Sequence, residues 1–162
     1  MIDPSQLSVK ELLAMASRAE IEANRTYSDL ANTVKNPLLK EKFQWLAFEE
    51  NKHKESLKKI FQSLYSEKKM EIPDKTDEAL LPSIRFTPSS SLVEILDQAM
   101  NAEKAAENFY TNLAQKVGNP QQRILKYLSV VEHSHFAMLK SEYTMAQEFE
   151  DYGEQDIDKV VT

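Results

Sequence analysis

The chain has 162 residues with no cysteine, only 2 glycines and a formal net charge of −6. This length suits one domain, the absence of cysteine excludes disulfides and thiolate ligands, and the abundance of alanine, leucine, glutamate and lysine favours helices. The acidic charge argues against a nucleic-acid partner, no apolar run approaches the roughly 20 residues of a membrane helix, and no secretory signal pattern is visible, which predicts a cytoplasmic protein.

The first half of the chain predicts an antiparallel pair of helices. Ser8 to Glu11 match a capping box, and apolar residues then recur at helical spacing over about residues 9–35. Asn36 and Pro37 suit the N-cap and the first position of a second helix, predicted over about residues 37–66. Because the connection is so short, the two helices must run antiparallel.

A long connection is predicted over about residues 67–91. The helical periodicity is lost there, and Pro73, Pro82 and Pro88 would break a helix. A connection of this length is unusual unless it has a role. We expect it to run the full length of a bundle and to return the chain to the end where the first helix began.

The second half of the chain repeats the first. Ser91 to Glu94 again match a capping box, and helices are predicted over about residues 92–117 and 120–152, with Gly153 as a C-terminal cap. The acidic residues 154–162 are interpreted as a frayed end or an oligomer contact. The offset between the halves is 83 residues up to the Asn-Pro turn and 82 after it. The equivalent pairs are Glu20 and Glu103, Tyr27 and Tyr110, Asn36 and Asn119, Trp45 and Tyr127, Glu50 and Glu132, and His53 and His135.

Four of these repeated residues are glutamates that interrupt apolar stripes. Glu20 and Glu103 each lie 16 residues before an Asn-Pro turn, roughly 24 Å along a helix, and a Glu-x-x-His follows each turn at a matching distance. Residues three apart share one helix face, so each Glu and His can face the same point. Four buried carboxylates need protons or cations, and two divalent ions would balance their charge. The pattern therefore predicts a metal site.

Ferritin-like di-iron or di-manganese bundles have one ligand Glu on each of two helices and a Glu-x-x-His motif on each of the other two, as in this sequence. In the first half, Glu20 and Tyr27 precede Glu50-x-x-His53, and the second half repeats this pattern. Through this pattern, which covers most of the chain, the sequence resembles the rubrerythrin branch of these bundles. The resemblance implies an all-α, ferritin-like four-helix bundle: two repeated antiparallel hairpins, joined by the crossover in a single domain over residues 1–162.

The resemblance also implies a role for each repeated residue. Two iron ions would bind, although manganese or a mixed pair would suit the same ligands. The metal ligands would be Glu20 and Glu103 as terminal carboxylates, Glu50 and Glu132 as bridging carboxylates, and His53 and His135 on one metal each. Tyr27 and Tyr110 would donate hydrogen bonds to the ligand carboxylates.

Several neighbouring residues have two possible interpretations. Glu107, one turn beyond the third-helix ligand, could add a carboxylate or could be solvated. His133 is one residue off the ligand face and is either a supporting group or a surface residue. Glu49 is interpreted as a surface charge, and Trp45 and Phe48 are predicted to be core residues.

The function that the resemblance implies is an oxidoreductase that reduces hydrogen peroxide or dioxygen. Full-length rubrerythrins hold a further iron with four cysteines, and this chain has none, so electrons would come from a separate donor such as a rubredoxin-like protein. Ala106 stands where many rubrerythrins have an additional glutamate. The alternatives are a ferroxidase or iron-handling protein, and a structural bundle with a decayed site. A homodimer or larger homo-oligomer is expected, with no nucleic-acid or membrane partner.

Overall fold

The computed structural model describes residues 3–66, 68–149 and 152–154. They form four α-helices, α1 (Val9–Thr33), α2 (Pro37–Leu64), α3 (Leu92–Ala114) and α4 (Gln121–Glu148), and 3₁₀ helices at Pro4–Gln6 and Tyr152–Glu154. No strand occurs among the described residues, and none of their helices is long and apolar enough to cross a membrane. The predicted all-α four-helix bundle is confirmed.

Local sequence signals fix the starts of the helices better than their ends. Both predicted capping boxes are present: the side chains of Ser8 and Ser91 accept from the N–H groups of Glu11 and Glu94, whose carboxylates accept from the serine N–H groups. The helices end two to four residues before the predicted positions, at residues 33, 64, 114 and 148. Apolar periodicity continues past each end, so it gives no stop signal.

The predicted role of Gly153 as the cap of α4 is wrong. The helix ends at Glu148, where the N–H of Phe149 donates to the carbonyl of Met145. The Gly153 carbonyl instead accepts from the N–H groups of Lys35 and Asn36, at 3.0 and 3.1 Å. The chain after α4 therefore folds back onto the turn between α1 and α2. The prediction for residues 155–162 lies outside the described residues.

Two groups of buried apolar side chains fill the two ends of the bundle. One group joins the start of α1, the end of α2, the end of α3 and the start of α4, and includes Leu12, Ile60, Leu113 and Leu125. The other joins the end of α1, the start of α2, the start of α3 and the end of α4, and includes Leu30, Leu39, Leu96 and Leu139. Consequently α1 and α3 are antiparallel, and the second hairpin is inverted relative to the first.

The crossover between α2 and α3 runs along the bundle, as expected. Leu81 packs into the apolar group at one end, and Ile84 and Phe86 pack against the group at the other end. The expectation that it returns the chain to the end where α1 began is wrong. Because α2 already ends beside the start of α1, a connection that runs the full length must finish at the opposite end.

The two Asn-Pro turns differ although they occupy equivalent positions in the repeat. The side-chain oxygen of Asn36 accepts from the N–H groups of Leu38 and Leu39, and its amide group donates to the carbonyl of Tyr152. At the second turn the Asn119–Pro120 peptide bond is cis, and α4 begins at Gln121 without a side-chain cap. Of the two equivalent asparagines, Asn36 therefore caps a helix and also contacts the C-terminal segment.

We predict that Asn36→Ala lowers the free energy of unfolding by about 1–2 kcal/mol, because it removes an N-cap and a buried hydrogen bond. The repeat-equivalent change Asn119→Ala is the control and should alter stability by less than about 0.5 kcal/mol, since Asn119 is exposed. Urea denaturation followed by circular dichroism measures both. Equal losses in the two variants would contradict the assigned cap.

Candidate metal centre

The six predicted ligands lie near the middle of their helices and converge in the interior. Glu20 and Glu103 come from α1 and α3, and the two Glu-x-x-His motifs come from α2 and α4. Each of the six exposes at most 4% of its surface. Every candidate ligand lies near the centre of its helix. The two halves of the cluster therefore lie at the same height along the bundle, although the second hairpin is inverted.

Each histidine faces three carboxylates through its Nδ1 atom. His53 Nδ1 lies 3.0 Å from Glu132 Oε1, 3.2 Å from Glu50 Oε2 and 3.7 Å from Glu20 Oε1. The other half of the cluster has the same form. His135 Nδ1 lies 3.1 Å from one oxygen each of Glu50 and Glu132, and 3.5 Å from Glu103 Oε2. The cluster is thus two similar sets of ligands side by side.

Two of the four carboxylates belong to both sets. Glu50 directs Oε2 towards His53 and Oε1 towards His135, and Glu132 likewise divides its oxygens between the two rings. Glu20 lies in one set only, beside His53, and Glu103 lies only in the other. This is the geometry required of two bridging and two terminal carboxylates. Their roles as metal ligands remain a prediction.

Protons take the place of cations in the metal-free cluster. Burial, and then the charge of a glutamate on the neighbouring helix, raise the pKa of Glu20 and of Glu103 to about 8. Burial lowers the pKa of the histidines, but the three carboxylates that face each ring outweigh it. The pKa of His135 rises to about 12, and that of His53 also rises far above its ordinary value. A metal ion must therefore displace protons on binding.

The donor atoms fit a pair of divalent ions. Glu50 Oε1 and His135 Nε2 are buried without a hydrogen-bond partner in the described part of the chain. In each ligand set the candidate donor atoms lie within 4.8 Å of one another. Carboxylate oxygen and imidazole nitrogen are donors that iron, manganese and zinc all accept, so the site suits a metal without selecting which one.

Tyr27 and Tyr110 hold the unshared carboxylates crosswise. The Tyr27 hydroxyl on α1 donates to Glu103 on α3, and the Tyr110 hydroxyl on α3 donates to Glu20 on α1. Burial and the nearby carboxylates raise the pKa of both tyrosines well above its usual value, so both remain protonated donors. The hydrogen bonds implied by the resemblance are present, and each one also links two antiparallel helices.

Comparison with known proteins agrees with this geometry. The rubrerythrin family profile matches residues 11–143. The chain belongs to the rubrerythrin family. Its structure is similar to that of a hypothetical protein from Pyrococcus furiosus, with a TM-score of 0.80 and 32% identity over 90% of this chain and 94% of that chain.

A second similar structure, from Thermotoga maritima, is described as a ferritin-like diiron-carboxylate protein. Its TM-score is 0.70 and its identity is 23%, over 85% of this chain and 95% of that chain, so this likeness concerns the fold. No curated protein sequence matches the chain. The family and the fold are therefore established by the profile and by the structural similarity together.

Glu107 and His133 of this rubrerythrin-family chain lie outside the buried cluster. The Glu107 carboxylate accepts from Lys104 at 3.0 Å and lies 3.2 Å from His133 Nδ1. His133 is exposed, with 61% of its side chain accessible to solvent. The structure thus places His133 on the surface and leaves Glu107 half-buried, paired with Lys104 and outside both ligand sets.

Three α2 residues differ from expectation. A carboxylate oxygen of Glu49, expected on the surface, lies within 4.8 Å of donor atoms of His53 and His135. The four-residue spacing from Glu49 to His53 was the available signal, since such residues share a helix face.

Trp45 and Phe48, predicted as core, are 45% and 60% exposed, because the apolar stripe of α2 is wider than its buried face. Trp45 contacts the His135 ring edge-on, with the centroids 5.3 Å apart.

Replacing a shared carboxylate should lower the number of bound metal ions more than replacing an unshared one. We expect the unchanged protein to bind about two Mn(II) ions per chain, Glu20→Gln about one, and Glu50→Gln fewer than about 0.5. Equilibrium dialysis followed by elemental analysis gives these ratios. Glu107→Gln is the control and should retain both ions. Full binding by Glu50→Gln would contradict the shared role of Glu50.

The metal-free protein should lose stability as the pH rises from about 6 to about 8, by more than about 2 kcal/mol. Glu20 and Glu103 hold protons in the folded state up to about pH 8, but in the unfolded chain they release them near 4.5. The histidines act in the same direction, because their folded pKa also exceeds the unfolded value. Denaturant unfolding at the two pH values measures the loss.

The matched control is the double variant Glu20→Gln, Glu103→Gln, which lacks two of the titrating groups. Its metal-free stability should depend less steeply on pH. Loading the unchanged protein with Mn(II) should raise the unfolding temperature more at about pH 8 than at about pH 6, since fewer protons compete with the metal. If the stability of the metal-free protein rose with pH, the raised pKa values of the buried glutamates and histidines would be ruled out.

Proposed function

We propose that this rubrerythrin-family protein is a di-iron oxidoreductase that reduces a peroxide or dioxygen with electrons from a separate donor. The observation that carries the proposal is the pair of ligand sets that share Glu50 and Glu132. Two iron ions held there would supply a reversible redox couple. A manganese pair or a mixed pair fits the same donors.

The protein's own residues would position and neutralise the ions. Four carboxylates match the four positive charges of two divalent ions, while neutral histidines add no charge. The crossed hydrogen bonds of Tyr27 and Tyr110 restrain Glu20 and Glu103, which lie at the two outer edges of the cluster. Proteins keep a metal centre in one geometry by holding its ligands in place with hydrogen bonds from the surrounding residues.

The partners belong to the same proposal. We place the electron donor on a separate protein, since these 162 residues contain no cysteine that could hold a rubredoxin-type iron. Self-association into a homodimer or larger homo-oligomer is supported by large apolar side chains that remain exposed on α2 and α4. They include Phe48, Tyr127 and Val130, at 60%, 64% and 67% exposure.

The decisive measurement is an anaerobic titration of the protein loaded with Fe(II). We expect hydrogen peroxide or a hydroperoxide to oxidise about two Fe(II) per peroxide, since each peroxide takes two electrons and two protons and its O–O bond breaks. Dioxygen is titrated in a separate arm. Absorbance and a colorimetric Fe(II) assay follow the reaction, and a rubredoxin kept reduced should then restore the Fe(II).

The control in this titration is Glu50→Gln, which should retain little iron and show no stoichiometric oxidation. Consumption of neither oxidant by the unchanged protein would end the redox proposal. If the protein instead retained far more iron than about two ions per chain after repeated Fe(II) addition in air, the ferroxidase or storage alternative would replace it.

A further inference from the structure

A cavity of about 420 Å³ lies between α1, α3 and the crossover and reaches the ligand cluster. Its inner wall includes the four ligand carboxylates, and Tyr27 and Tyr110 flank them. The crossover residues from 75 to 85 form much of the opposite wall. The cluster can therefore be reached from the face that the crossover covers.

Four alanines create much of this space. Ala19 and Ala23 on α1 are the repeat equivalents of Ala102 and Ala106 on α3, and all four line the cavity. A larger side chain at any of these half-buried positions would project into the space beside the ligands. The cavity is thus a consequence of small residues that both halves of the repeat have at the same positions.

The size of the cavity does not match a peroxide of water-like dimensions. One water molecule occupies about 30 Å³ of liquid, and hydrogen peroxide is only somewhat larger. Pockets that bind organic molecules usually measure about 300–1,000 Å³ and are largely apolar. The volume therefore suits an organic molecule, with alanine, Leu81 and Ile84 side chains as its apolar contacts.

The mouth of the cavity is suited to an anionic group. Arg25, Lys75 and Arg85 lie around it together with Glu22 and Glu78. Glu78 pairs with Arg85 at 3.1 Å, and Glu22 pairs with Arg18 at 3.0 Å. Within the described ranges, neither Arg25 nor Lys75 has a carboxylate within 4.0 Å, so both cations are available to a ligand.

The crossover is fixed over the cavity by polar contacts with both helices. The Ser83 hydroxyl lies 3.2 Å from a carboxylate oxygen of Glu22 on α1, and the N–H of Arg85 donates to Gln98 on α3 at 2.8 Å. Leu81 is buried beneath these contacts. The cavity is therefore bounded by a segment that is anchored to both helices.

We propose that this cavity binds an amphipathic organic anion, with its apolar part against the alanines and its anionic group at Arg25 and Lys75. The peroxide reduced by the protein is then an organic hydroperoxide of this class, a step that rests on the proposed function. In this reaction the O–O bond of the hydroperoxide breaks, and two electrons and two protons are taken up to form an alcohol and water. The separate donor protein supplies the two electrons one at a time.

Binding is tested first, without turnover, by calorimetric and NMR titration of octanoate into the metal-free and the Mn(II)-loaded protein. We expect saturable binding of one octanoate, and binding at least about tenfold weaker in Ala106→Leu, which narrows the cavity beside the ligands. The control Ala137→Leu lies on the exposed side of α4 and should bind as the unchanged protein does. The double variant Arg25→Ala, Lys75→Ala should weaken octanoate binding several-fold and leave octanol binding unchanged.

Turnover is tested second, with 8-hydroperoxyoctanoate and hydrogen peroxide added separately to the Fe(II)-loaded protein. Ala106→Leu should slow oxidation by the organic hydroperoxide at least about tenfold more than it slows oxidation by hydrogen peroxide, and Ala137→Leu should slow neither. The absence of saturable octanoate binding, or equal effects of Ala106→Leu and Ala137→Leu, would overturn the cavity assignment. Octanoate binding with no oxidation by either peroxide would overturn the hydroperoxide step and the redox function, but would support the anion site.

Discussion

Four carboxylates buried side by side in the middle of a helical bundle are the constraint on which the rest of this structure depends. Each would cost several kcal/mol to desolvate as an isolated charge, so the cluster exists only with protons or cations in it. The histidines, each within 3.5 Å of at least two carboxylates, and the two tyrosines satisfy part of this requirement. The apolar core is consequently divided into two groups, one at each end of the bundle, with the polar cluster between them.

The inverted repeat explains how so polar a centre remains ordered. Because α1 and α3 run antiparallel, Tyr27 reaches Glu103 while Tyr110 reaches Glu20, and one type of hydrogen bond is made twice across the same pair of helices. Parallel helices could not make both contacts from these positions. Since the ligands lie at the helix centres, the inversion also brings two equivalent half-sites together, and Glu50 and Glu132 can divide their oxygens between them.

The sequence predicts most of this arrangement because its determinants are local or repeated. Capping boxes, apolar periodicity and the offset between the halves locate four helices and six candidate ligands. The direction of the second hairpin is not local: it depends on where a long crossover ends, and the expectation for that end was wrong. The same limit applies to Trp45 and Phe48, whose helical spacing indicates an apolar face but not whether another helix covers it. Gly153 is a further case, since its partner is a turn more than a hundred residues away.

A repeat of two hairpins can be symmetric in its helices but not in its connections, because the chain has only one crossover. That segment packs across the α1 and α3 side, where alanines leave a cavity beside the carboxylates. On the α2 side, Trp45 lies edge-on against His135 and is 45% exposed. Two ligand sets of equivalent composition therefore have unlike surroundings. A small molecule can reach the carboxylates through the cavity, whereas the histidine beneath Trp45 is separated from solvent by an aromatic ring. The difference between the two sides of the centre thus comes from the crossover and from single side chains on the helices.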